Sequence, residues 1–255
     1  MKKILLIFST VIVLLLTACS EDNPNGQSSS ILANKQVTGS SANDLLSDNK
    51  FTSLYIELVY VEGNIPTDQA VNNLKSFLQT RLYKPNGIII EKRSIPAPGN
   101  TTYTTEEIAA LEEEHRTVYN TANQIAVWTF FADAKSSKDT NNSKVLGTAY
   151  RNTSMVVFEN TLKAFSDSPN KPSRSVLETT ILEHEFCHLL GLTNLGTPMV
   201  ENHEDTEHEK HCDVERCLMY WSAEGGTNIT NIVNGGTVPQ LDSQCIADLQ
   251  ANGGK

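Results

Sequence analysis

The segment EHEFCHLLGL, residues 183–192, decides how the rest of this chain is read. It places His184 and His188 four residues apart, with Glu185 beside the first. On a helix, residues i and i+4 lie one above the other on the same face. The two imidazoles can then meet one metal ion, at about 2.0–2.1 Å from each nitrogen if the ion is zinc. Glu185 flanks that face and can reach a water activated by the ion, taking its proton as general base. With 6 histidines in 255 residues, chance produces an HExxH in such a chain on the order of 0.01 times. The neighbours agree with a helix over 172–191. Leu177, Ile181, Phe186 and Leu189 or Leu190 form an apolar backing, and Gly191 stands where the helix would stop.

A catalytic zinc needs a third protein ligand and an open coordination position. The chain after Gly191 is crowded with candidates: His203, His208 and His211, with Glu201, Glu204, Glu207 and Glu209 among them. HEFCHLLG resembles the opening of the metzincin consensus HExxHxxGxxH, but Asn194 stands where that consensus has its third histidine. Further on, His211-Cys212 followed by Cys217 and Met219 (HC-x4-C-x-M) resembles the sequence around the third ligand of archaemetzincins. The resemblance implies an insertion of about residues 194–210, which is cheap because loop-closure entropy grows only logarithmically. His211 would complete the site and Met219 would be the methionine of the Met-turn beneath the metal. His203 is the second candidate, and His208 or an acid the third; an acid would make a His-His-Glu site.

The same resemblance implies an α+β, metzincin-like fold. A mixed sheet with flanking helices would precede the HExxH helix, and an irregular C-terminal part with the Met-turn would follow it. It implies one catalytic Zn2+, a protein or peptide substrate, and substrate pairing along an edge strand, for which residues 145–150 stand in the right order. Archaemetzincins also hold a structural zinc with a later CxxC pair. This chain has only Cys245 there, so the expectation is a Cys212–Cys217 disulfide rather than a second ion, with Cys187 and Cys245 paired or left as buried thiols.

Upstream, the pattern is that of one domain over 51–255. Residues 51–61 (FTSLYIELVYV), 87–95 (GIIIEKRSI) and 124–132 (QIAVWTFFA) read as strands, the last apolar enough to be central. Residues 145–151 and 154–159 read as two more. Thr67 or Asp68 can cap a helix through Leu82, Thr104 or Thr105 one running to about Asn120, and 241–251 carries a last short helical pattern. Residues 19–50, rich in Ser, Asn, Asp and Gly, read as a flexible tether.

The chain begins with Lys2-Lys3, a 13-residue apolar run at 4–16, and Leu16-Thr17-Ala18-Cys19. That run is too short to span a membrane and reads as a signal peptide over 1–18. The tetrad resembles the bacterial lipoprotein box, which implies cleavage before Cys19 and lipid on its thiol. The expected location is therefore the bacterial cell envelope, lipid-anchored and extracytoplasmic, with the acidic residues after Cys19 pointing to the cell surface. A net charge of −10, from 20 basic and 30 acidic residues, argues against a nucleic-acid partner. Nothing in the sequence signals an oligomeric state. The expected function is a zinc-dependent endopeptidase with the membrane as partner through the lipid. The alternatives are a non-catalytic metal-binding surface lipoprotein, a zinc protease with a Glu third ligand, and a metal hydrolase of non-peptide bonds.

Overall fold

Apolar residues on both sides of the inner strands give this protein a sheet with two covered faces. The computed structural model describes residues 24–166, 171–225 and 236–255. The five-stranded sheet is built from β1 (Ser53–Val61), β2 (Ile88–Ile95), β4 (Gln124–Ala132), β6 (Gly147–Arg151) and β7 (Ser154–Phe158), in the order β2-β1-β4-β7-β6. β3 (Thr102–Tyr103) and β5 (Lys135–Ser136) form a separate parallel pair. The helices are α1 (Pro24–Ala33), α2 (Ala42–Leu46), α3 (Asp68–Gln79), α4 (Thr105–His115), α5 (Glu159–Phe165), α6 (Arg174–Leu189) and α7 (Ser243–Ala251).

All neighbours in the large sheet run parallel except β6, which is antiparallel to β7. Leu54 lies opposite Ile88 on one side and Ile125 on the other, and Trp128 opposite Ser154. The inner strand β4 is buried along nearly its whole length, whereas the edge strand β2 exposes Ile89, Glu91 and Lys92. Successive side chains divide between the faces. Leu54, Ile56, Leu58, Ile125 and Val127 join the main core with Leu74 and Leu78 of α3 and Leu177 and Ile181 of α6. Val59, Val61, Trp128 and Phe130 form the second core with Ile108 of α4. The expected α+β arrangement, a mixed sheet flanked by helices, is the one observed.

Caps set the helix starts. Thr67 accepts from the Ala70 amide, and Thr104 and Glu107 form a capping box. α4 stops at His115, short of the expected Asn120, because Arg116 turns extended and sinks its guanidinium into the second face. There it donates to Glu112 Oε1 (2.7 Å), Ala126 O (2.8 Å) and Val118 O (2.9 Å).

The expected tether over 19–50 needs correction. From Asn34 onward the chain is part of the folded body. Asn34 is fully buried, donating to Ala126 O (3.1 Å) and Thr153 Oγ1 (2.8 Å), and Asn152 donates to Ala33 O (2.7 Å). Leu45 and Leu46 lie fully inside the main core. The Asn and Ser richness that suggests a tether supplies side chains that satisfy backbone groups at this junction. The signal peptide and Cys19 lie outside the described residues. Among those described, no helix is long and apolar enough to cross a membrane.

Candidate metal centre

α6 carries the HExxH motif into the core. Ser173 caps it, accepting from the Val176 amide, and every residue from Leu177 to Leu189 is buried. The helix ends at Gly191, where φ is +84° and an added Cβ would stand 2.5 Å from the Thr197 amide nitrogen, so only glycine fits the turn. On the sheet side, Gly147 of β6 allows close approach: a Cβ there would meet Ile181 Cγ2 at 2.6 Å and Glu185 Cγ at 2.8 Å. Gly147→Ala is expected to cost about 1–3 kcal/mol by overpacking and to displace Glu185. Thermal unfolding checks it, and an unchanged melting point would mean the strand has slack to give.

His184 and His188 meet with their Nε2 atoms 3.2 Å apart. His211 joins them, its ring 5.4 Å from that of His184 and 5.3 Å from that of His188. Each ring is oriented by a backbone carbonyl at Nδ1: Leu218 O for His184 (2.7 Å), Leu192 O for His188 (2.9 Å) and Glu209 O for His211 (3.0 Å). Asn194, at the consensus third position, holds the loop that delivers His211. It donates to Glu204 Oε2 (2.8 Å), while Glu204 Oε1 accepts from the Lys210 amide (2.8 Å).

The fourth group is Glu224, which no motif signals. Its Oε1 lies 3.2 Å from His188 Nε2 and 3.6 Å from His184 Nε2, and its Oε2 3.5 Å from His211 Nε2. His184, His188, His211 and Glu224 all bring a ligand atom within 4.8 Å of one another. Burial pushes the His184 imidazole down to about 4, so it is neutral at pH 7. A neutral ring has one proton, and Nδ1 spends it on a carbonyl. The His184 Nε2 lone pair therefore faces the Glu224 carboxylate, acceptor against acceptor, and His211 Nε2 is buried without a hydrogen-bond partner. A cation between them resolves that repulsion. Ligand nitrogens around tetrahedral zinc are about 3.3 Å apart, and carbonyl-oriented imidazoles are how proteins present such ligands.

Glu185 lies beside this cage, fully buried. Its Oε2 accepts from the Ala149 amide of β6 (2.7 Å) and its Oε1 has no hydrogen-bond partner. Burial first, then the nearby charge of Glu224, pushes its carboxyl well above the usual range. Met219 is fully buried in the turn after Cys217, where its carbonyl accepts from the Cys212 amide (2.8 Å).

The alternative third ligand, His203, is elsewhere. It is buried, with Nε2 2.8 Å from Asp248 Oδ2 and Nδ1 3.4 Å from Cys212 Sγ. His208 stacks on Trp221 at the surface and pairs with Asp205. A downstream glutamate is present at the site, but beside His211 rather than in its place.

The expected Cys212–Cys217 disulfide is not formed, since Cys187, Cys212, Cys217 and Cys245 are all free. Cys217 Sγ instead lies 3.6 Å from Cys245 Sγ, and Cys212 Sγ 3.0 Å from Asp242 Oδ2. His203, Cys212, Asp242 and Cys245 bring ligand atoms together in a second group. Hydrogen bonds from Cys212 and Cys245 hold the Cys217 thiol well below its usual range. That group offers two sulfurs, one imidazole and one carboxylate, a donor set suited to a tetrahedral thiophilic ion, with Cys217 beside Cys245. Cys187 is a buried thiol apart from this group.

The archaemetzincin from Methanopyrus kandleri aligns with this chain at a TM-score of 0.54, over 79% of this chain and 96% of that one, at 16% identity. The fold is archaemetzincin-like. A zinc-dependent peptidase from Methanocorpusculum labreanum aligns at 0.49 (12% identity, 76% of this chain, 99% of that one). Metalloproteinase-II from Bacteroides fragilis aligns at 0.41 (13% identity, 81% of this chain, 56% of that one). No protein-family model and no curated protein matches the sequence. Within this archaemetzincin-like fold, sequence reasoning misses Glu224 and the sulfur cluster. Glu224 has no periodic or motif signal, and the HC-x4-C-x-M string with Cys245 lacks the later CxxC that would have marked a second metal group.

Proposed function

We propose that this chain is a zinc-dependent endopeptidase, with His184, His188 and His211 as metal ligands and Glu185 as general base. The observation that carries the reading is Glu185 itself. A site that only stores or structures a metal has no use for a desolvated carboxylate with an unpartnered oxygen, because burying such a group is costly. Zinc bound by the three imidazoles would activate water and polarise the scissile carbonyl. The Ala149 amide holds one Glu185 oxygen, leaving the other to take the proton from water and deliver it to the leaving amine. An extended peptide is laid along β6, the outer strand of the sheet, by β-augmentation. Residues 1–18 serve as signal peptide and lipid on Cys19 anchors the protein to the envelope, as the lysine pair, apolar run and LTAC tetrad support.

The rival reading, a metal-binding lipoprotein without catalysis, is favoured by one observation: Glu224 stands where a catalytic zinc would keep an open position. The two are separated by zinc analysis with peptide-library cleavage on the full chain. We expect two ions per chain, one at the imidazoles and one at the sulfur cluster. His211→Ala should lose the first ion and cleavage; His203→Ala should lose the second and keep the first. Loss of the catalytic ion in His203→Ala alone would reverse the ligand assignment, and a zinc-loaded wild type that cuts no peptide would favour the rival.

A further inference from the structure

Four groups enclose the metal position, and three of them are locked. Each imidazole is pinned at Nδ1 by a carbonyl, and their side chains are 0%, 6% and 12% exposed for His184, His188 and His211. The Glu224 side chain is 33% exposed, the most accessible of the four. Among the described residues, no hydrogen bond from outside the imidazoles holds its carboxylate. Its distances of 3.2 and 3.6 Å from the two HExxH nitrogens and 3.5 Å from His211 bracket the edge of a zinc tetrahedron, about 3.3 Å. The carboxylate therefore stands at the fourth corner, the one a catalytic zinc reserves for water and substrate.

The backbone carrying Glu224 is placed with equal consequence. The Leu146 amide donates to Glu224 O (3.1 Å), and Val145 bridges Gly225 in antiparallel fashion. Residues 224–225 thus pair with the chain entering β6, the strand along which an extended substrate would lie. The segment mimics a bound peptide: backbone against the strand, oxygen toward the metal.

We propose that Glu224 is a fourth, displaceable metal ligand that closes the resting site, and that substrate must compete with it for both the metal and the lead-in to β6. This rests on the zinc-peptidase reading above. A rigid structural ligand would be locked like the three imidazoles, whereas this carboxylate is half-buried and, among the described residues, is held by the cage itself.

The test compares full-length wild type with Glu224→Gln and Glu224→Ala, using His211→Ala as the control for the ion at the imidazoles. Cobalt(II) is substituted at that site and its visible absorption recorded, zinc affinity is measured by chelator competition, and kcat and KM are taken separately on a cleaved library peptide. Both Glu224 variants should keep the ion, change the cobalt spectrum and bind zinc about tenfold or more weakly. KM should fall on the order of tenfold with kcat little changed, as expected if the closed form outnumbers the open by about ten to one. An unchanged spectrum and affinity would overturn the ligand assignment and leave the peptidase reading intact. Loss of kcat with the ion retained would place Glu224 in the chemistry instead, and overturns the inference. A changed spectrum with no cleavage by any form upholds ligation but overturns displacement by substrate, together with the peptidase reading. Wild type that holds no ion at the imidazoles overturns both. The amide of Glu224→Gln is isosteric, so the comparison survives if the alanine variant folds poorly.

Discussion

Glu185→Gln is expected to keep its zinc and lose kcat/KM by roughly 10²–10⁴, the contribution of a positioned general base. The amide is isosteric and can still accept from the Ala149 amide, so the strand–helix contact survives. What it cannot do is take a proton at the position of the partnerless Oε1. The same substitution should not weaken the metal-free fold. The folded carboxyl is raised well above its unfolded value, first by burial and then by Glu224. A raised acid costs stability once pH exceeds its unfolded value, and glutamine removes that cost at neutral pH. Zinc content, peptide cleavage and metal-free melting together check this. Cleavage within a few-fold of wild type by a zinc-loaded variant would sink the general-base role, and a large drop in melting temperature would show that Glu185 is structural.

Glu112→Ala should destabilise the fold by about 3–5 kcal/mol, the cost of leaving a buried charge without its partner. Glu112 Oε1 accepts from Arg116 Nη1 (2.7 Å) and Ser154 Oγ (2.6 Å), and Oε2 from Tyr150 Oη (3.0 Å) and Arg151 Nη1 (3.0 Å). Arg116 is itself buried, and it also bonds the Ala126 carbonyl that Asn34 reaches from the N-terminal segment. Removing Glu112 strands one guanidinium in the interior and deprives a second of one of its two carboxylate partners. Glu113, half-exposed and bonded to the same Arg151, is the control and should change stability by no more than about 1 kcal/mol. Denaturant midpoints decide it. A loss at Glu112 no larger than at Glu113 would mean water reaches the network.

Much of the fold is legible in the sequence because it is local. β1 declares itself by its β-branched and aromatic residues and β4 by a nearly continuous apolar run. The starts of α3 and α4 are marked by capping chemistry at Thr67 and Thr104 that acts over three or four residues. The failures share one cause. α4 is expected to run to Asn120, but it ends where Arg116 finds buried partners on β4, a gain no local window contains. Residues 34–50 look like a tether because many of their stabilising contacts are to distant residues, from Lys84 to Asn152 and Asn252.

For the site, the sequence by itself determined the HExxH face of α6, the carboxylate beside it and the glycine that ends the helix. Those depend only on helical period and backbone conformation. Only the tertiary structure decided that His211 rather than His203 reaches the imidazole pair, that His203 turns to the sulfurs, that Cys212 and Cys217 are not bonded, and that Glu224 closes the cage. The physical reason is the weak dependence of loop closure on length. An insertion of almost any composition can bring a ligand back to the metal, so spacing carries little information. The choice among candidates falls to which side chain the packed loop delivers with its lone pair facing the ion.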